Sequence, residues 1–261
     1  MKEIIKNINL LGQFCGERNL KALTASELND KYGLLQADIM VLFGGSIISG
    51  GDIMAAAIKN KIAKKYIIVG GAGHTTNNLR HQAEIVCPGI QTAELSEAEI
   101  FTLYLKYKYN VTPDLLECRS TNCGNNITYL LSLLQTHKIP FNNMIITQDA
   151  TMQKRMEAGL RKYLKTDITI INFAAYTANI TIKNGQPAFE HNIPGMWSIE
   201  QYITLLMGEI PRLSDNKTGY GPRGKNYIAH VDIPLEVATA FTQLKKTYGS
   251  MIRKANPLYS S

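Results

Sequence analysis

The sequence predicts an α/β fold: a Rossmann-like, mostly parallel sheet with helices on both faces, plus a small helical C-terminal subdomain. Two observations predict it. The apolar runs at 39–43 and 66–69 each end directly in glycine, which is typical of buried parallel strands. Strand-like and helical stretches then alternate with short connections, as in a sheet covered on both faces. We place the Rossmann-like domain at 1–195 and the C-terminal subdomain at 196–261.

The element order of the first domain follows from local patterns. An amphipathic helix opens it, because apolar residues recur at helical spacing from Ile4 to Cys15. Ser96 and Glu99 have the spacing of a capping box, which predicts a helix start. The chain from Gly70 through Gly89 is predicted to be a long loop. Strands are predicted at 39–43, 66–69, 115–118, 144–147 and 168–173, with helices at about 52–63, 96–108, 124–137 and 151–164.

The alternation ends near residue 175. Residues 176–195 have the composition of loop or edge structure, with a turn at Asn184 and Gly185. Helices are predicted at 198–207 and 235–248. Between them lies a polar stretch rich in glycine and proline.

Composition sets limits on the function. The chain has 261 residues, of which 28 are basic and 21 acidic, for a net charge of +7. This balance favours an anionic ligand only weakly. No basic block is interleaved with aromatic residues, so we interpret the lysines and arginines as solvated helix faces and expect no nucleic-acid partner.

Cysteine usage and hydropathy indicate the compartment. The four cysteines form no CxxC pair and no cluster with zinc spacing, so we expect reduced thiols and no bound metal. No stretch approaches the ~18 apolar residues of a membrane span. Polar residues interrupt the N-terminal segment too early for a signal peptide. These features predict a cytoplasmic protein without a membrane span.

Two glycine turns are the first candidate site. Glycine at a strand exit lets a ligand approach the main chain without meeting a Cβ, and free backbone N–H groups there suit a phosphate, a carboxylate or a ribose. Neither turn has the spacing of a dinucleotide loop or a Walker A loop, and tight turns between packed elements are the alternative interpretation. The candidate cofactor-binding residues here are Gly44, Gly45, Ser46, Gly70, Gly71, Gly73 and His74.

Glu97 and Asp149 are the candidate catalytic residues. Glu97 lies in the first turn of its helix without being needed for the capping box, so it is free to bind a ribose diol or to act as a base if its pKa rises. Acidic residues are also common at any helix start. Asp149 follows Gln148, a further candidate cofactor-binding residue, at the end of the fourth strand. Asp149 either caps the next helix or lines the crevice. Because a helix N-terminus lowers the pKa of an aspartate, we expect an ionised acceptor.

Further polar residues follow the third strand and fill the C-terminal stretch. Ser120 and Asn122 would add side-chain donors to the crevice, although capping by Ser120 or Thr121 is the alternative. Cys123 has no histidine close in sequence that would make it a nucleophile. The C-terminal polar stretch contains Arg212, Arg223 and His230. Its arginines would either clamp an anion or brace the loop onto the main domain through Glu209, Asp215 or Asp232.

These motifs resemble the YdcF-like branch of the SanA/ElyC/YdcF superfamily over most of the chain. The resemblance depends most on the C-terminal segments 208–213, 219–224 and 230–232, and it adds Tyr220 to the candidate cofactor-binding residues. It implies a Rossmann-like core with a small helical C-terminal part, and binding of S-adenosylmethionine without an assigned reaction. Asn125 and Thr151 stand where family members usually have an acidic residue and often a histidine. If catalysis in relatives uses either of those groups, this chain would bind without reacting or would use Glu97 instead.

We therefore expect a protein that binds a small molecule, anionic or adenosine-bearing, at the C-terminal ends of its strands. Two alternatives stay open. One is a metal-independent hydrolase or transferase acting on a phosphorylated or nucleotide-sugar substrate, which the carboxylates Glu97 and Asp149 support. The other is a non-catalytic regulatory or interaction module.

Overall fold

The computed structural model describes residues 1–73 and 76–252, and it confirms the predicted α/β class. The chain divides into two compact units. The sheet unit comprises Arg18–Asp149 and Lys165–Ala175; the second unit comprises Met1–Glu17, Ala150–Leu164 and the chain from Tyr176 onward. The boundary predicted after residue 195 stays a prediction.

Five parallel strands form the sheet, in the order β3-β2-β1-β4-β5. Their bounds are Ala37–Phe43 (β1), Ala63–Val69 (β2), Leu115–Glu117 (β3), Asn143–Thr147 (β4) and Thr169–Asn172 (β5). All five predicted strands are present. The central strand β1 pairs through Ile39 with Lys65 on one side and with Met144 on the other. The strand order reverses between β1 and β4, and in parallel sheets ligands bind outside the carboxyl ends of the strands at such a reversal.

The core of the sheet unit explains why the strand sequences are almost uniformly apolar. Consecutive residues from Ile39 to Phe43 are at most 1% exposed, so both faces of β1 are covered. Phe101 and Tyr104 of the helix Glu97–Tyr109 pack into the same core. The helices of this unit are Ala25–Tyr32 (α2), Ser49–Lys59 (α3), Thr76–Val86 (α4), Glu97–Tyr109 (α5) and Cys123–Thr136 (α6).

Two of these helices differ from the sequence prediction. Helix α2 was not predicted, and α4 lies within the stretch that was predicted to be a long loop. Helix α4 is polar and buries only Thr76, Leu79 and Ala83, which is too short an apolar stripe for a periodicity argument. Helix α5 begins where the capping box predicted: Ser96 accepts from the Glu99 amide, and the Glu99 side chain accepts from the Ser96 amide.

The second unit is mostly helical. Its helices are Lys2–Cys15 (α1), Gln153–Tyr163 (α7), Ile199–Leu213 (α8) and Leu235–Tyr248 (α9), followed by a 3-10 turn at Gly249–Met251. Helix α1 buries Ile8, Leu11 and Cys15, as its spacing predicts, and packs on α8 and α9. Helix α8 continues six residues beyond the predicted end at residue 207, through Pro211.

A hairpin precedes α8 in the second unit. Strands Ile180–Lys183 (β6) and Gln186–Phe189 (β7) are antiparallel. Asn184 and Gly185 connect them with φ angles of 52° and 77°, the left-handed backbone that a two-residue hairpin turn requires. The turn predicted at these residues is confirmed.

In the ranges 1–73 and 76–252, no helix combines the length and the apolar character needed to cross a membrane.

The close packing of β2 against the turn after β3 yields a stability prediction. A Cβ added at Gly71 would overlap the backbone carbonyl of Ser120 and lie 2.8 Å from the carbonyl carbon of Arg119. Because backbone atoms cannot move aside cheaply, we expect Gly71→Ala to lower the free energy of unfolding by about 1–3 kcal/mol or more. Urea denaturation of the parent and the variant measures this difference in the free energy of unfolding.

Gly73→Ala is the matched control. Among the described residues, a Cβ there would meet only Thr121 O, at an ordinary 3.6 Å, so the change in the free energy of unfolding should stay within about 1 kcal/mol. Equal losses in the two variants would contradict the packing argument.

Candidate functional site

The turns that follow four neighbouring strands meet at the carboxyl edge of the sheet. The Gln148 side chain, after β4, donates to Gly44 O, after β1, at 2.9 Å. The Gly71 amide, after β2, donates to Ser120 Oγ, after β3, at 3.0 Å. Most of the site residues predicted in the sheet unit therefore come together.

The glycines at this edge make room for side chains of the same chain. A Cβ on Gly44 would overlap the Glu97 carboxylate and lie 3.0 Å from Gly70 Cα. A Cβ on Gly70 would lie 3.0 Å from Glu97 Cβ. At Gly45 the obstacle would be Asp149 Oδ1, at 2.8 Å. The glycines thus admit two buried carboxylates to the strand ends.

This finding corrects the expectation that the glycine turns leave amide groups free for a ligand. The amides of Gly44 and Gly70 donate to Val69 O and Glu117 O. The Gly71 and Gly73 amides donate to the hydroxyls of Ser120 and Thr76. These four amide hydrogens hold the turns together, so they do not serve the ligand-binding role that the sequence predicted for them.

Asp149 occupies the position where an α/β protein usually holds an anionic ligand. Its Oδ2 accepts from the Ser46 amide at 3.2 Å, and the carboxylate also accepts from the Ile47 amide. These amides lie between β1 and α3, where a helix N-terminus attracts negative charge. The protein's own carboxylate thus takes the place of a ligand phosphate.

The pKa of Asp149 is raised, whereas the sequence analysis expected it to be lowered. Burial raises the pKa of Asp149 to about 6, although the Ser46 and Ile47 amides act to lower it. The loss of hydration outweighs two hydrogen bonds to the charged form. Asp149 is still mostly ionised at pH 7, but it binds a proton just below neutrality.

Glu97 is the second buried carboxylate of the edge. Its backbone amide donates to Gly71 O at 2.9 Å, which anchors the first turn of α5 over the end of β2. Its Oε1 accepts from the Thr76 hydroxyl at 2.8 Å. Burial raises the pKa of Glu97 to about 7, the charge of Asp149 adds to the rise, and Thr76 and Arg80 act in the opposite direction.

Neither carboxylate has a cationic partner within the described part of the chain. Their only polar contacts are the amides of Ser46 and Ile47 for Asp149 and the Thr76 hydroxyl for Glu97. Across the same residues, no group of three histidine, cysteine or acidic side chains could hold a metal ion. The edge therefore carries up to two negative charges with which no described residue forms an ion pair, although the charge of Arg80 acts on Glu97.

Residues after β3 have mainly structural contacts. Asn122, not Ser120 or Thr121, is the N-cap of α6, and its Oδ1 accepts from the Asn125 amide at 2.9 Å. The capping alternative of the sequence analysis was therefore assigned to the wrong residues. Ser120 instead links β3 to Gly71.

The C-terminal candidates lie in the second unit and bond to residues of that unit. Arg212 donates to Gly208 O and lies 3.7 Å from Glu209. Arg223 lies 3.2 Å from Asp215, and Tyr220 packs edge-on against Tyr227 with ring centroids 5.2 Å apart. The arginines thus pair with Glu209 and Asp215 inside the second unit, whereas the bracing of the loop onto the main domain stays a prediction.

His74 falls outside the described residues. Sequence reasoning missed two other residues of the edge, Thr76 and Asn78, because they belong to the unpredicted α4. Asn78 donates from its side chain to Ser46 O at 3.1 Å. Thr76 follows Gly73 by three residues, a spacing at which a threonine side chain can bond to a backbone amide. This spacing is the only local feature of the sequence that indicates a role for Thr76 or Asn78.

Comparison with known families adds no assignment. The chain was compared with models of known protein families, and none of them matches it. The resemblance to the YdcF-like branch therefore stays a prediction.

The uncompensated charge of Glu97 predicts a pH-dependent stability. Its pKa is about 7 in the folded chain against an ordinary value of 4.5, so the folded state binds the proton more tightly than the unfolded state. Stability from this group is therefore lost as pH rises from about 4.5 to 7. We expect Glu97→Gln to be more stable than the parent at pH 8, by about 1–3 kcal/mol, and about equal to it near pH 4.5.

Chemical denaturation at the two pH values measures this difference. Glu94→Gln, which removes an exposed carboxylate just before α5, should leave the pH dependence unchanged. If Glu97→Gln were less stable than the parent at pH 8, Glu97 would have a compensating interaction in the folded chain, contrary to our interpretation.

Proposed function

We propose that this protein binds a small molecule with a cationic centre and an adenosyl group, S-adenosylmethionine, at the carboxyl edge of its sheet. The observation that carries the proposal is the pair of buried carboxylates, Glu97 and Asp149, with no cationic partner in the described chain. A buried charge without a partner is costly. A ligand cation between the carboxylates would remove that cost. The removal of this cost would contribute favourably to the free energy of binding.

The position of the pair supports the same ligand class. Asp149 lies where the strand order reverses between β1 and β4, the usual ligand position in open parallel sheets. Because its carboxylate already fills the amide site before α3, a ligand phosphate would meet negative charge there, whereas a sulfonium would be attracted. This argument narrows the expected ligand from anionic or adenosine-bearing to adenosine-bearing and cationic. The adenosyl group itself is supported by the family resemblance.

We also propose a cytoplasmic location. Its support is that Cys15, Cys87, Cys118 and Cys123 are free thiols, a pattern typical of reducing compartments.

A second candidate function has its own observation. Burial places the pKa of Glu97 at about 7 and that of Asp149 at about 6, so near neutrality one group can hold a proton while the other accepts one. This favours general acid–base catalysis by a metal-independent hydrolase or transferase acting on a phosphorylated or nucleotide-sugar substrate. The charge argument makes such anionic substrates the less favoured ligands.

The binding proposal predicts discrimination by charge. S-adenosylhomocysteine lacks the sulfonium charge, so it should bind at least about tenfold more weakly than S-adenosylmethionine in isothermal titration at pH 7.5. Asp149→Asn keeps an acceptor for the Ser46 amide but removes the charge, and should bring the two affinities within about threefold. Affinity for S-adenosylmethionine should rise between pH 5.5 and 7.5, because the carboxylates ionise over that range.

Glu94→Gln is the matched control and should bind like the parent. If neither ligand binds the parent chain, the adenosyl proposal is wrong. If both bind equally well and Asp149→Asn changes neither affinity, the carboxylates do not select the ligand.

The catalytic candidate is tested separately. A screen of phosphoesters and activated sugars should show turnover that falls at least about a hundredfold in Glu97→Gln, since general acid–base groups contribute about that much or more. Activity that survives the substitution would remove Glu97 from the mechanism.

A further inference from the structure

We propose that Thr76 is a positioning residue that divides the two oxygens of Glu97 between separate tasks. The Thr76 hydroxyl holds Oε1, and Oε2 is left as the atom that meets the ligand. The first part concerns the chain alone; the second rests on the proposed function.

The hydrogen bonds of Thr76 have one consistent direction. Its hydroxyl is buried at 1% exposure and accepts from the Gly73 amide at 2.7 Å. Its single proton is then donated to Glu97 Oε1 at 2.8 Å. A hydroxyl whose acceptor side is occupied in this way cannot rotate to serve another partner without losing a bond, so Oε1 is held in one place.

Oε2 lies over the two glycines at the strand ends. A Cβ on Gly44 would overlap it, and a Cβ on Gly70 would lie 3.3 Å from it. Among the described residues, no donor bonds to Oε2. Glu97 as a whole keeps 8% of its surface exposed, so the residue is not completely closed off from a small molecule.

The helix that carries Thr76 also holds the other parts of the edge. Asn78 bonds to Ser46 O at 3.1 Å, in the turn whose amides hold Asp149. Arg80 donates to Leu95 O at 2.9 Å, next to the residue that caps α5. The first turns of α4 therefore contact both carboxylate-bearing parts of the site, which is the arrangement expected of a positioning element.

The ionisation of Glu97 tests the first part without a ligand. The charged groups that act on it are Asp149, which opposes its ionisation, and Arg80, which favours it. Carbon-13 NMR of protein labelled at the glutamate carboxyl carbon, with Glu97→Gln to identify the signal, gives its titration midpoint. We expect Thr76→Val to raise that midpoint by about one pH unit, because a hydrogen bond to the charged form is lost.

Three further variants separate positioning from general damage to the fold. Thr76→Ser keeps the hydroxyl and should restore the parent midpoint. Thr102→Val removes a hydroxyl that bonds within α5, to Ala98 O, and should leave the midpoint unchanged. If Thr76→Val does not fold, Thr76→Ala makes the same comparison. A midpoint that is unchanged or lower in the valine or alanine variant, or a serine variant that behaves like valine, would overturn the proposal.

Ligand binding tests the second part. With S-adenosylmethionine at pH 7, Thr76→Val should bind about fivefold more weakly than the parent, because a smaller share of its Glu97 is ionised and Oε1 is no longer held. Thr76→Ser, which keeps the hydroxyl, should bind like the parent. A valine variant that binds as tightly as the parent would overturn the assignment of Oε2 as the ligand-facing atom. If the parent chain binds no S-adenosylmethionine, the proposed function fails while the NMR result still decides the role of Thr76.

Discussion

The close approach of β1 and β2 at Gly44 and Gly70 is the constraint on which the rest of the site depends. Without side chains at these two positions, the first turn of α5 can lie directly over the strand ends and bring Glu97 with it. The carboxylate loses most of its hydration there, which raises its pKa. Burial by the packing of the chain is therefore the main cause of the raised pKa of Glu97.

Asp149 is the residue on which the proposed ligand preference depends. The sheet order and the amides before α3 are those that hold phosphate groups in many α/β proteins. Here an internal carboxylate satisfies the amides and adds its own charge to the crevice. The positive end of α3 is neutralised from inside, and this is the basis of our proposal that the site binds a cationic ligand.

The fold could be predicted from the sequence where local patterns were strong. The apolar runs of β1 and β2, the capping box at Ser96 and the turn at Asn184 each depend on a few neighbouring residues, and each is found as predicted. Helix α4 was not predicted, because its buried stripe is short and its other residues are polar. Its stability comes from packing against α5, which no local pattern encodes.

The sequence by itself determined the parallel sheet, the edge where polar turns collect, and Glu97 and Asp149 as the carboxylates of that edge. Only the tertiary structure decided what those turns do. The glycine amides bond to the chain itself, Thr76 holds Glu97, and burial raises the pKa of Asp149 although its amide contacts lower it. The physical reason is that hydration and hydrogen-bond partners depend on residues far apart in the chain, such as Ser46 and Asp149, whereas strand and helix patterns depend on near neighbours.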